Sequence, residues 1–255
     1  MRAKVRVVFL LLGSALPLLS YGQQPTVDGI LKKVSEKYQN LQSYQITAEK
    51  ITEAATVGSI HPEGGGRVES NFHQSANAQI VLAVADPEKF RLDVKEEGGG
   101  LLLVSDGHTK WTYLPKRKRY TEEEGSAQPD ILKSYRNLLV ERFRGLYQYS
   151  STAVLEKDTQ LKIGSEKVPC YVVKIQTPNG VKELWVDKDR YVVWKSRHVG
   201  PSSPEGISLQ STVTVNLSEA KTNTELDKSL FQFTLLRRRK KFLPFSRRSD
   251  SHNCR

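Results

Sequence analysis

The sequence has few of the residue types from which catalytic and metal centres are usually built. Its 255 residues include two cysteines, five histidines and one methionine. No zinc-type ligand spacing, phosphate-binding loop or nucleophile elbow is present. The histidines at positions 61, 73, 108 and 198 are far apart in the chain. We therefore expect neither catalysis nor a bound cofactor or metal.

The two cysteines allow a single pairing. Cys170 stands between Pro169 and Tyr171 in a β-type run, which is typical of a small buried side chain rather than a reactive thiolate. Cys254 lies in a polar tail. An oxidising compartment would allow the two thiols to form a disulfide, and the sequence leaves this pairing open.

The chain also lacks an apolar stretch of the roughly 20 residues that a membrane-spanning helix needs. A shorter apolar run from Val7 to Leu19 follows three basic residues and precedes Ser20-Tyr21-Gly22. This pattern predicts a secretory signal peptide over residues 1–22, cleaved near Gly22, and hence export of the mature chain. No cysteine follows the cleavage site, so we expect no lipid anchor of the bacterial lipoprotein type.

The formal net charge of +11 is unevenly distributed. Three positive charges lie in the predicted signal peptide, and residues 237–255 hold eight basic residues against one acidic residue, so residues 23–236 carry only about +1. A nucleic-acid-binding protein spreads its basic residues over a groove or a helix face, and we therefore expect no nucleic acid partner. We predict one domain over residues 23–236.

The basic tail over residues 237–255 is predicted to be disordered. The sequence also allows two alternatives: a changed reading frame, and contact with an anionic membrane surface. The residues that would make such a contact are Arg237, Arg238, Arg239, Lys240 and Lys241.

Between these termini the pattern predicts two helices and many strands. Apolar residues recur every three or four positions from Thr26, a candidate N-cap, to Leu41, and again over residues 129–147 behind Pro129. The second pattern predicts one helix of about five turns. Elsewhere β-type runs follow one another through short turns such as Pro178-Asn179-Gly180. The predicted fold class is α+β, a large antiparallel sheet with the helices packed against its concave face.

Residues 86–114 show the clearest strand pattern. Phe90, Leu92 and Val94 alternate with charged residues, which places these three on one apolar face. A second run begins at Leu101, and Asp106-Gly107 predicts a tight hairpin turn, after which Trp111 and Tyr113 share a face. Residues 122–124, three glutamates, are predicted to lie in a solvated loop.

Several short motifs occur in a fixed order along this part of the chain. The first series is Asp86-Pro87, Phe90-Arg91, Asp93-Val94, Val104-Ser105-Asp106-Gly107, Trp111, Tyr113 and Pro115. Leu184-Trp185-Val186-Asp187 follows, and the series closes with Asn223, Leu226, Asp227, Phe231 and Phe233. In order and spacing these motifs resemble those of the LolA-like periplasmic carriers of outer-membrane lipoproteins, over most of residues 26–234.

This resemblance implies an open half-barrel whose helices cover an apolar cavity for the acyl chains of lipoproteins or related lipids. The implied function is a monomeric carrier that takes its cargo from an inner-membrane exporter to an outer-membrane acceptor, with transient membrane contact. Related half-barrels instead sense envelope lipids or lipoproteins and regulate a stress response through a protein partner, and this alternative stays open. The predicted cavity lining is Phe90, Leu92, Val94, Leu102, Val104, Trp111, Tyr113, Leu138 and Phe143.

Two features depart from the family pattern. The carriers have a basic residue before the proline that opens the first motif, where it helps to control the lid, whereas this chain has Asp86. The carriers also tend to end in a proline-rich segment, whereas this chain continues into its basic tail.

Overall fold

The computed structural model describes residues 25–57, 59–60, 68–69, 72–125, 127–200, 208–234 and 240–241. The predicted signal peptide, Cys254 and Arg237, Arg238 and Arg239 lie outside these residues. Of the basic tail, only Lys240–Lys241 is described, as a two-residue strand. Within the described residues, no helix combines the length and the apolar composition that crossing a membrane requires.

Thirteen of the strands in the described residues join into one sheet, which is antiparallel except at its last strand and does not close on itself. Two further short strands pair with each other alone. The strands are β1 (Tyr44–Val57), β2 (Ser59–Ile60), β3 (Val68–Glu69), β4 (His73–Val84), β5 (Lys89–Glu96), β6 (Leu101–Asp106), β7 (Thr109–Leu114), β8 (Arg119–Glu124), β9 (Ala153–Leu155), β10 (Thr159–Ile163), β11 (Glu166–Thr177), β12 (Gly180–Asp187), β13 (Val193–Val199), β14 (Ser208–Thr222) and β15 (Lys240–Lys241).

The sheet consists of two meanders joined through the first strand. Its order is β10-β11-β12-β13-β14-β1-β4-β5-β6-β7-β8-β15, with β9 paired to β11. The long strand β1 therefore lies between β14 on one side and β4 on the other. Together with the helices described below, this order gives an α+β open half-barrel, as predicted.

The hairpins form where the turn residues predict them. At Asp106-Gly107 the Asp106 carboxylate accepts hydrogen bonds from the N–H groups of His108 and Thr109, both at 2.8 Å. Gly107 has a φ of +99°, a conformation that side chains with a Cβ rarely adopt. At Gly180 the φ is +114°, and a Cβ there would lie 2.0 Å from the carbonyl oxygen of Val199. These turns set the register of the strands on either side.

Helix α1 (Val27–Gln39) forms as predicted. Oγ1 of Thr26 accepts a hydrogen bond from the N–H of Gly29 at 3.2 Å, which caps the first turn. Its inward face lies on the concave side of the sheet and consists of Ile30, Leu31, Val34, Ser35 and Tyr38.

Two polar contacts fix α1 to the hairpin of β12 and β13. The hydroxyl of Tyr38 accepts a hydrogen bond from the backbone N–H of Val193 at 3.1 Å. The ammonium of Lys33 donates to the Tyr191 hydroxyl at 3.0 Å. Because both partners lie at one end of this hairpin, the helix position depends on the shape of that turn.

The second helical segment differs from its prediction. Instead of one five-turn helix, the chain forms α2 (Asp130–Arg136), a π-helical turn (Asn137–Glu141), α3 (Arg142–Arg144) and a 3-10 helix (Leu146–Thr152). Pro129 precedes the first turn as the N-cap residue. Leu139 and Val140 of the π turn are both buried.

The predicted loop at residues 122–124 is also wrong, because these glutamates belong to β8. They lie opposite β7, where Glu123 forms an ion pair with Lys110 at 2.8 Å. Strand β10 was not predicted from the sequence at all. Strand β8 is mostly polar, and β10 alternates over only five residues, so both give a weak strand signal.

Candidate ligand-binding clefts on the concave face

The strand register divides the predicted cavity lining between two faces of the sheet. Phe90, Leu92 and Val94 pair with Ser105, Leu103 and Leu101, so these six side chains share the concave face. The intervening residues Arg91 and Asp93 pair with Val104 and Leu102 on the convex face. Trp111 and Tyr113 pair with Val104 and Leu102, and therefore also lie on the convex face.

The prediction that all nine residues line one cavity is therefore corrected. Leu102, Val104, Trp111 and Tyr113 lie behind the sheet, whereas the other five lie on the helix side. The run Leu101 to Val104 is apolar throughout, so the sequence pattern there does not distinguish the two faces. Only the pairing of β6 with β5 and with β7 shows which of these residues lie on each face.

The convex face of β5 to β8 is covered by residues 226–233. Leu226 and Phe231 pack on Ala83, and the guanidinium of Arg91 donates to the carbonyl of Leu230 at 3.3 Å. The Phe233 ring stacks on Trp111 with the ring centroids 5.9 Å apart. Since this segment belongs to the chain itself, we interpret the contact between Phe233 and Trp111 as part of the core on the convex side and not as a ligand site.

On the concave face, side chains from the helices fill the space beneath them. Phe90 and Leu92 are fully buried, and Val94 and Phe143 are each 3% exposed. They belong to one core cluster with Leu132 and Leu139 from the second helical segment, and with the buried face of α1. The volume that the sequence predicts as an acyl cavity is occupied by these side chains.

An open apolar cleft lies beside this packed region. Ile131, Tyr135 and Leu138, spaced by four and three residues, share a helix face that is distinct from the buried Leu132. They border a cleft of about 380 Å³ together with Lys50 of β1 and Val213 of β14. Ile131 is 43% exposed, which is high for an isoleucine, whereas Tyr135 and Leu138 are partly buried against the core.

A second cleft of about 520 Å³ adjoins the first, with which it shares Ser134 and Leu138. It has a basic character, because Arg142, Lys182 and His198 all line it. Burial and the positive charge of Arg142 lower the pKa of Lys182. Burial, Arg142 and Lys182 together lower the pKa of His198 below its ordinary 6.5 and outweigh the nearby Val181 carbonyl.

Sequence analysis identified only Leu138 among these cleft residues. The stripe at positions 131, 135 and 138 could have been found, since its spacing is readable as a second apolar face on the helix. The basic cluster could not, because its three members come from separate elements that only the sheet register brings together.

The helical segment is held unequally at its two ends. Beyond the π turn it is anchored to α1: Nε2 of Gln39 donates to the carbonyl of Arg144, and the Ser35 hydroxyl accepts from the N–H of Tyr147, both at 3.0 Å. Before the π turn, Leu132 is the only buried residue of α2. The π turn therefore separates a fixed half from a half with few anchors.

Glu141 bridges the two halves. Its carboxylate contacts the Arg136 guanidinium on one side and that of Arg144 on the other, each at 3.0 Å. Arg136 also donates to the side chain of Gln128 at 2.7 Å, ahead of α2. These contacts are partly exposed, and each side chain retains access to water if α2 moves.

Two further residues singled out by the sequence, Cys170 and Asp86, have structural roles. Cys170 is fully buried in β11, where burial first and then Asp187 raise the pKa of its thiol to about 11. Asp86, at the position of the family's basic residue, accepts hydrogen bonds from the N–H groups of Glu88 and Lys89 and so closes a turn. The described residues contain no group of histidine, cysteine or acidic side chains arranged to hold a metal ion.

The sequence matches no protein-family model and no curated protein. Solved structures to which the chain is similar include an uncharacterised conserved protein from Thermus thermophilus, with a TM-score of 0.39 and 13% identity over 84% of this chain and 97% of that one. A LolA superfamily protein from Nitrosomonas europaea matches with a TM-score of 0.26 and 11% identity over 82% of this chain and 98% of that one.

The Pseudomonas aeruginosa MucA/MucB complex also matches, with a TM-score of 0.40 and 14% identity. The match covers 82% of this chain and 61% of the matched chain. The comparisons thus include the superfamily that the sequence motifs resemble. At these TM-scores and identities they add nothing about function, and the fold itself rests on the sheet order.

Proposed function

We propose that this protein is a periplasmic carrier that holds the acyl chains of lipoproteins or related lipids on the concave face of its half-barrel and moves them towards the outer membrane. The observation that carries the proposal is the apolar cleft between α2 and the sheet. There the stripe of Ile131, Tyr135 and Leu138 borders an open space together with Val213. An acyl chain has the shape and chemistry to occupy it.

The energetics favour such an occupant. Burial of an acyl chain contributes about 0.8 kcal/mol for each methylene group removed from water. Five buried methylenes would therefore contribute about 4 kcal/mol, enough for reversible binding. Both clefts are also within the roughly 300–1,000 Å³ of typical small-molecule sites.

A longer chain would reach the packed region through movement of α2. Leu132 and Leu139 belong to the same core cluster as the face bearing Phe90, Leu92 and Val94. If α2 swings about the π turn, Leu132 leaves the cluster and an acyl chain replaces its contacts with Leu139 and the strands. In this mechanism the four predicted lining residues Phe90, Leu92, Val94 and Phe143 contact cargo only in the open state, whereas Leu138 contacts it from the start.

The test is a binding titration with a neutral monoacylglycerol that carries an environment-sensitive fluorophore. Ile131→Glu places a carboxylate against the bound chain, which should weaken binding by at least tenfold (~1.4 kcal/mol). The matched control is Val154→Glu, which changes an equally apolar side chain, 57% exposed, on the convex side of the sheet. The control should bind as the parent protein does.

Equal binding by the two folded variants would overturn the cleft as the binding site. Transfer of the probe from donor to acceptor vesicles then separates carriage from sensing. A protein that binds the probe without accelerating its transfer would contradict the carrier function and favour the sensor alternative.

A further inference from the structure

Two cationic side chains, Arg142 and Lys182, and the imidazole of His198 converge from different elements at the rim of the concave face. Arg142 begins α3, Lys182 lies on β12 and His198 lies on β13. All three line the second cleft, whose other polar residues include Asn137 and Asn179. Such an arrangement requires the sheet and the helical segment to be assembled together.

The register brings two of these groups face to face. Lys182 and His198 are direct cross-strand partners, which places their Cβ atoms about 5 Å apart. The positive charge of Lys182 contributes to the lowered pKa of His198. Arg142 adds a second positive group from the helix side and is itself partly withdrawn from water, which lowers its pKa. The folded chain thus keeps an electrostatically unfavourable cluster.

Nothing among the described residues neutralises this cluster. None of the three side chains forms an ion pair with a carboxylate there, although eleven other such pairs occur. The Lys182 ammonium lies over the ring of Tyr149, at 5.3 Å from its centroid. Nδ1 of His198 is buried without a partner at hydrogen-bond geometry. Unpaired buried nitrogen atoms of this kind are costly unless a ligand satisfies them.

The basic cleft is also continuous with the apolar one. His198 pairs across the strands with Val213, which lines the apolar cleft, so a single row on the concave face runs from Lys182 through His198 to Val213. With strands about 4.8 Å apart, this row spans about 10 Å from its charged end to its apolar end. An amphiphile lying along it would meet positive charge and apolar surface in turn.

We infer that Arg142, Lys182 and His198 form a subsite for the phosphate headgroup of an anionic amphiphile whose acyl chain occupies the neighbouring apolar cleft. Guanidinium and ammonium groups both form charge-assisted hydrogen bonds to phosphate oxygens. The inference rests on the proposed function, since it names the chemical class of the cargo that the same surface would select.

The experiment compares three probes by isothermal titration: dihexanoyl phosphatidic acid, dihexanoyl phosphatidylcholine and inorganic phosphate. The parent protein should bind the phosphatidic acid about tenfold more tightly than the zwitterionic lipid. Lys182→Gln should remove most of that preference. The matched control, Lys174→Gln, makes the same charge change on the opposite face of the sheet and should keep the preference.

The outcomes distinguish this inference from the proposed function. Equal affinity for the two lipids overturns the phosphate subsite and leaves acyl binding intact. Loss of the preference in Lys174→Gln as well would assign it to overall charge and also overturn the subsite. Binding of inorganic phosphate in a Lys182-dependent manner, with no affinity for either lipid, would support the subsite for a free phosphate and refute the carrier.

Discussion

Helices α1 and α2 lie on the same concave face but are attached to it in different ways. Helix α1 has a side-chain cap at Thr26, five buried residues and two polar contacts to the hairpin of β12 and β13. Helix α2 begins at Pro129 without a side-chain cap, buries only Leu132 and exposes 43% of Ile131. The difference indicates that α1 belongs to the framework of the fold, whereas α2 is attached to the sheet by fewer contacts.

The largest expected effect comes from truncating a buried residue of α1. Leu31→Ala removes a fully buried side chain and should lower the free energy of unfolding by about 2–5 kcal/mol. Ile131→Ala, the matched change on α2, should cost less than about 1 kcal/mol. Urea denaturation measures both values, and an equal loss in the two variants would break the comparison.

A smaller loss of stability is expected at the turn between β12 and β13, which contacts α1. Asp187 is 1% exposed and accepts hydrogen bonds from the indole of Trp194 and the guanidinium of Arg190, both at 2.9 Å. Both donors bond the same oxygen, Oδ2, and Asp187→Asn removes its negative charge, which should cost about 1–3 kcal/mol. Asp130→Asn on α2 is the control, because its side chain is 96% exposed and its loss should change stability little.

The effect of Asp187 should depend on pH. Burial raises the pKa of this carboxyl, but the N–H donors of Arg190, Trp194 and Asp189 outweigh burial and hold it below the ordinary 3.8. A group with a lowered folded-state pKa stabilises the protein fully above its unfolded pKa, and this contribution is lost as the pH falls through the folded value. The stability difference between the parent and Asp187→Asn should therefore be constant near neutral pH and shrink below about pH 4. A difference that grows on acidification would contradict this assignment.

The smallest expected effect on stability is at the start of α2, where it tests whether α2 opens independently of α1. Gln128 accepts a hydrogen bond from Arg136 and donates one to the carbonyl of Pro87, so Gln128→Ala should cost about 1 kcal/mol or less. Amide hydrogen exchange should become faster over residues 130–141 and stay unchanged in α1. Gln39→Ala, which removes a similar bond at the end of α1, should leave exchange in α2 at its parental rate.

The fold was predictable wherever local chemistry decides the structure. Thr26 caps its helix as predicted, and the glycines at 107 and 180 form the turns that their positive φ angles require. The π turn was not predictable, because its residues Leu139 and Val140 continue the apolar pattern of a regular helix and pack against strands that are distant in sequence.

The candidate site was harder to predict because it depends on register. Phe90, Leu92 and Val94 were placed correctly on one apolar face by simple alternation. Val104 and Trp111 were assigned to the same lining, although the hairpins put them on the other side of the sheet, where Phe233 stacks on Trp111. Arg142, Lys182 and His198 carry no shared sequence signal, since a meander and a helix crossing bring them together only in three dimensions.

The central position of β1 also affects how the chain folds during its synthesis. Tyr44 pairs with Val84 on one side but with Thr222 on the other, so one edge of β1 can be satisfied early and the other only by a nearly complete polypeptide. Closing such a distant pair makes folding slow, and until then a long strand edge stays open to other chains. We therefore expect protection from aggregation to be needed mainly between the synthesis of β4 and the arrival of β14.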